Sequence, residues 1–94
     1  MEERIIHFDS TRFLFKVVIN FEQNEVTFTC HDKFKFNSTA TKVLYSLTQK
    51  GLEEHMLNEL KAIKELHGDY RVISKSEYYK TLSSDIIQNV AHKY

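Results

Sequence analysis

Two interleaved apolar rows in the stretch from Arg12 to Asn37, RFLFKVVINFEQNEVTFTCHDKFKFN, constrain this chain more than any other feature. Side chains alternate between the faces of a strand, so odd and even positions are read separately. In the first half the odd positions are Phe13, Phe15, Val17, Ile19 and Phe21, all apolar, whereas Arg12, Leu14, Lys16, Val18 and Asn20 are mixed. In the second half the even positions Val26, Phe28, Cys30, Phe34 and Phe36 are apolar, and their odd neighbours are polar. Folding the stretch at Glu22-Gln23-Asn24-Glu25 pairs Phe21 with Val26, Ile19 with Phe28, Val17 with Cys30 and Phe13 with Phe34. Both rows then share one face, and a one-residue slip would put one of them in water. Asp32 is the charge on the buried row. It marks a bend or bulge at His31-Asp32-Lys33, after which Phe34-Lys35-Phe36 resumes the strand or starts a short third one.

Upstream, residues 4–8 read as a short strand ahead of an Asp9-Ser10-Thr11 turn, placing Ile5 and His7 near Phe13 and Phe15. Downstream, the apolar period changes from two to three and four. Asn37 or Ser38 can cap a helix over about 39–50, with Ala40, Val43, Leu44 and Leu47 on its apolar side. Lys50-Gly51 reads as its end, and a second helix over about 52–67 buries Leu52, Met56, Leu57, Leu60, Ile63 and Leu66. Tyr70-Arg71-Val72-Ile73 is a candidate strand. Ser74 and Glu77 form a capping-box pattern for a last helix over about 75–92, with Tyr78, Tyr79, Leu82, Ile86 and Val90 on one side. The expectation is one α+β domain over residues 1–94. It has two layers: a small antiparallel sheet built on a long hairpin (about 12–36), with the helices on one face. The helix–helix–strand order after two strands resembles the KH-type RNA-binding arrangement. The GXXG loop of that family has no counterpart, since Gly51 stands alone in Gln49-Lys50-Gly51-Leu52.

Composition narrows the function classes. Thirteen basic residues offset thirteen acidic ones, so no global field draws the chain to nucleic acid or an anionic membrane. The single cysteine, Cys30, lies in the apolar row, which suits a reduced, cytoplasmic protein. The opening MEERIIHF lacks the apolar core of a signal peptide, and no apolar run reaches bilayer length. Frequent Lys, Phe, Ile, Asn and Tyr indicate AT-rich coding, such as that of a low-GC bacterium or its phages.

No catalytic or cofactor motif is present. His7, His31, His55, His67 and His92 show no zinc-type spacing, and Cys30 and His31 occupy opposite faces of one strand. Cys30 pairs with apolar groups and lacks a base. His55 and Glu59 are four apart, a spacing routine on a solvated helix face. There is no Gly-rich phosphate loop and no nucleophile elbow. These readings predict no metal, no cofactor and no enzymatic activity. The leading expectation is a small protein-binding module, a phage-type regulator or inhibitor of a larger host protein or complex, with a homodimer as one form. Its candidate contacts are Leu14, Lys16 and Val18 on the sheet's second face, with Thr27 and Thr29 beside them, and the tyrosines Tyr78, Tyr79 and Tyr94. The alternative is single-stranded nucleic-acid binding through Arg12, Lys33 and Lys35 around Phe34 and Phe36.

Overall fold

A computed structural model describes residues 3–35 and 38–83. It holds strands β1 (Glu3–Ser10), β2 (Phe13–Asn20), β3 (Glu25–Asp32) and β4 (Thr39–Tyr45), helix α1 (Gln49–His67), strand β5 (Tyr70–Ile73) and a second helix, α2, over residues 75–83. All neighbouring strands are antiparallel, in the order β4-β3-β2-β1-β5. The chain is thus the small antiparallel α+β fold that the patterning predicts.

The central hairpin forms with its faces as expected and its register two residues away. Val17 faces Phe28, Phe15 faces Cys30, and Asn20 rather than Phe21 closes the ladder, opposite Glu25. Asn20 sets this shorter closure. Its side-chain oxygen accepts from the Glu22 and Gln23 amides, while Asn24 takes a positive φ of 56° that Asn tolerates better than most residues. A shift of two preserves parity, so both apolar rows stay on the same side. Beneath α1 they form the main core: Phe8, Phe15, Val17, Ile19, Val26 and Phe28 against Leu52, Met56 and Leu60.

Several expectations are corrected. Residues 39–45 are a strand, not part of a helix over 39–50. Ala40, Val43, Leu44 and Leu47 fit a helical stripe, but β-branched Thr39, Thr41 and Val43 also fit a strand, and the open edge of β3 supplies hydrogen bonds for one. The helix starts later, at Thr48 rather than Asn37 or Ser38: the Thr48 Oγ1 accepts from the Gly51 amide at 3.0 Å. Gly51 therefore sits in the first turn of a single helix and breaks nothing. Within α1, Leu57 and Leu66 point outward, 59% and 76% exposed, because the buried stripe runs through Leu52, Met56 and Leu60 at four-residue steps.

A further correction concerns the layers. The α2 helix lies across the opposite sheet face from α1, packing Tyr78 and Leu82 on Leu14 and Ile73. Ser74 starts it as anticipated, its Oγ accepting from the Glu77 amide. Strand β1 extends to eight residues and sets His7 opposite Lys16 and Phe8 opposite Phe15, so Ile5 and His7 share the Leu14 face rather than the Phe13 face. Strand β5 pairs with β1 and makes the second sheet edge. Helical expectations for Ile86 and Val90 lie outside the described residues.

Candidate functional site

The sheet's second face is partly closed by α2. Leu14 is fully buried there and offers nothing to a partner. Tyr78 is buried too, at 2% exposure, and burial first, then Tyr79 and Cys30, pushes its hydroxyl pKa up. Lys16 is half-buried, its Nζ 3.5 Å from the Tyr79 hydroxyl and 5.9 Å from the ring centroid. Val18, Thr27 and Thr29 are half-buried. Tyr94 lies outside the described residues. The expected surface therefore splits, with Lys16 and Tyr79 brought together and Leu14 and Tyr78 removed into a core.

The basic cluster is dispersed by carboxylates. Arg12 grips Asp32 through Nε and Nη2, at 3.1 and 2.9 Å to Oδ2. That hydrogen bonding, with the Phe34 amide and the charges of Arg12 and Lys35, holds the Asp32 carboxyl below its ordinary range against the opposing effect of burial. Lys33 Nζ reaches Asp9 Oδ1 at 2.8 Å and the Ser10 carbonyl at 2.7 Å. The strand ends at Asp32, whose carboxylate accepts the Phe34 amide and turns the chain, so Phe34 is 67% exposed instead of sharing the buried row. Phe36 lies outside the described residues. Lys35 is exposed.

Beside the half-buried threonines lies the feature that the patterning missed, the edge of β4, which no other strand covers among the described residues. The Asp32 amide donates to Ser38 and the Ser46 amide to Asn24, which fixes the ladder's phase. Hydrogen-bonded pairs recur every second residue in an antiparallel ladder. Even-numbered residues of β4 therefore bond to β3, and the backbone groups of Thr39, Thr41, Val43 and Tyr45 point away from the sheet. The Tyr45 carbonyl already accepts from His55 Nε2 at 3.0 Å, leaving its N–H. Lys42 projects to the other face and is bound to Glu59 at 2.6 Å. These two contacts put the His55/Glu59 pair to structural use, clamping β4 to α1. Along the edge, Val43, Tyr45 and Leu47 are 38%, 67% and 92% exposed.

Edge strands are normally blunted by charge, proline or brevity. The β5 edge obeys this rule: it is four residues long, with Arg71 bound to Asp9 and Glu77. The seven-residue β4 has no proline, and its one charge is turned away. β-branched residues at 39, 41 and 43, with the cap at Thr48, were the available signals; the competing helical spacing concealed them.

Cys30, Glu59 and His67 border a cavity of about 180 Å³ between sheet and helix. Burial, followed by the Asp32 charge, pushes the Cys30 thiol up to about 11, the reverse of what a nucleophile needs. His67 packs on Phe13 at 4.4 Å, and His31 Nδ1 meets Thr39 Oγ1 at 3.1 Å. Among the described residues, no group of three metal-ligating side chains converges, and no helix is long and apolar enough to cross a membrane. No protein-family model, curated protein or solved structure matches the chain.

Proposed function

We propose that this chain is a non-enzymatic protein-binding module that joins its partner by strand addition along β4, in a reduced, cytoplasmic setting. The supporting observation is that, among the described residues, the outward N–H and C=O groups of Thr41 and Val43 and the N–H of Tyr45 have no partner, flanked by exposed Val43, Tyr45 and Leu47. Strand addition draws affinity from main-chain hydrogen bonds and selectivity from alternate side chains. The partner proposed is a second copy of the chain. A two-fold axis through Val43 sets Val43 opposite Val43 and Thr41 opposite Tyr45. The Val43 pair exchanges both its bonds, and the Tyr45 carbonyl accepts through its second lone pair. On the α1 side this register places Lys42 opposite Leu44, whereas an axis through Lys42 would oppose two ammonium groups.

The AT-rich residue bias keeps a phage-type regulator or inhibitor as the proposed context. Nucleic-acid binding comes second, because Arg12 and Lys33 already hold carboxylates. Sedimentation velocity from about 1 to 500 µM, a range that brackets weak to moderate association, tests the reading. A monomer–dimer transition is expected, with the amides of Thr41, Val43 and Tyr45 becoming protected from hydrogen exchange as dimer forms, and Val43→Lys is expected to hold the chain monomeric. A monomer throughout, with those amides exchanging freely at every concentration, would overturn it.

A further inference from the structure

On the far side of the molecule from β4, strand register brings like charges together. His7 faces Lys16 on β2 and Ile73 on β5, and α2 starts two residues after Ile73 with Lys75. The imidazole thus has an ammonium-bearing residue on either side, and Tyr79, one helical turn beyond Lys75, stacks edge-on against it at 6.0 Å. These four residues line a cleft of about 340 Å³, with no carboxylate among its lining side chains. Elsewhere Arg4, Lys33, Lys42, Lys64 and Arg71 each reach an acid. Among the described residues, Lys16 and Lys75 form no ion pair.

A second observation points the same way. His7 is 5% exposed, and its Nε2 is buried without a hydrogen-bond partner. Buried polar atoms are nearly always satisfied, so an orphan ring nitrogen marks this place as incomplete, and the two unneutralised cations beside it favour an anion as the group that completes it. Burial lowers the His7 pKa most, and the fields of Lys16 and Lys75 add to it, so both ammonium groups act on the same ring. The rest of the cleft is apolar. Ile5 and Val72 on its walls are 46% and 68% exposed. A ligand that uses all of these features carries one compact negative charge on an apolar body, and the volume suits a small aromatic acid.

We propose that the cleft between β1, β5 and α2 binds a small organic carboxylate, the anion lying between Lys16 and Lys75 beside His7 and Tyr79, and the apolar body lying on Ile5 and Val72. This site is separate from the β4 edge and independent of its reading.

The test is a proton–nitrogen NMR titration of the full chain with 2-naphthoate, its neutral analogue naphthalene-2-carboxamide, and inorganic phosphate. Naphthoate is expected to shift the β1 and β5 amides saturably and to raise the His7 imidazole pKa, because a bound anion favours the imidazolium. The carboxamide and phosphate are each expected to bind about tenfold more weakly or worse, one lacking the charge and the other the apolar body. Lys16→Gln with Lys75→Gln is expected to weaken naphthoate by a similar factor. Equal binding of naphthoate and carboxamide would overturn the proposal without recourse to any variant, as would phosphate binding as tightly as naphthoate, or an unmoved His7 pKa at saturation.

Discussion

Asp32 shows how one residue can be noticed in a sequence and still change meaning in three dimensions. Its place on an apolar row marks it as anomalous, and a bend there is what the chain makes. The partner, Arg12, is twenty positions away and comes into reach because Phe13 pairs with Asp32 in the shorter register. The pair has a defined pH signature. The Asp32 carboxyl is held below its ordinary 3.8, so its contribution to stability is complete above that value and is lost as pH falls through the folded-state pKa. Asp32→Asn should therefore lower the thermal midpoint by several degrees at pH 7, and the gap from the parent chain should close as pH falls through the acid range. Thermal unfolding followed by circular dichroism from neutral pH downward checks this. A gap that widened on acidification would give the carboxylate the opposite role.

At the scale of the element, β4 and the start of α1 are one problem. Thr48 caps the helix, and Gly51 lies where Ser46 folds back against the first turn. An alanine Cβ at 51 would collide with the Ser46 side chain, lying 2.9 Å from its Cβ and 3.0 Å from Thr48 Oγ1. Helix propensity alone favours alanine by about 0.8–1 kcal/mol at such a position. Overpacking works the other way, at about 1–3 kcal/mol, and should prevail here because the obstruction reaches Ser46 Cβ as well as a rotatable hydroxyl. Gly51→Ala is thus expected to destabilise the fold by urea denaturation, and Ser46→Gly in the same chain is expected to recover most of the loss. Had Gly51 ended a helix, neither the collision nor the rescue would be expected. The sequence marks Gly51 as significant. Only the turn from β4 identifies the reason, which is close approach rather than termination.

For the whole molecule, the deciding fact is that the helices divide between the two sheet faces. The α1 stripe over Phe15, Val17 and Phe28 is what the paired apolar rows demand. Nothing in the spacing of Leu14 among Arg12, Lys16 and Asn20 demands a cover, yet α2 supplies one through Tyr78 and Leu82. Leu14→Ala should accordingly cost about 2–5 kcal/mol, as fully buried leucines do. Val18→Thr, on the half-open part of the same face, should cost under about 1 kcal/mol. Urea denaturation of the two variants separates a closed second face from an open one, and equal small losses would mean that α2 does not seal it.

The sequence by itself determined which residues share the Phe15–Phe28 face, the antiparallel α+β class and the Ser74 cap. These follow from local alternation and side-chain chemistry, which survive a two-residue change of register. Tertiary structure decided the register, the identity of residues 39–45, the second face and both candidate sites. Helical and strand spacings coincide over Ala40–Leu47, so the open edge of β3 settles that segment. Lys16 and Lys75 stand fifty-nine residues apart and line one cleft only because β1 lies between β2 and β5. The two-row stretch from Arg12 specifies the centre of the sheet, whereas the binding surfaces proposed for this chain lie where later elements leave a strand uncovered or place two cations around one cleft.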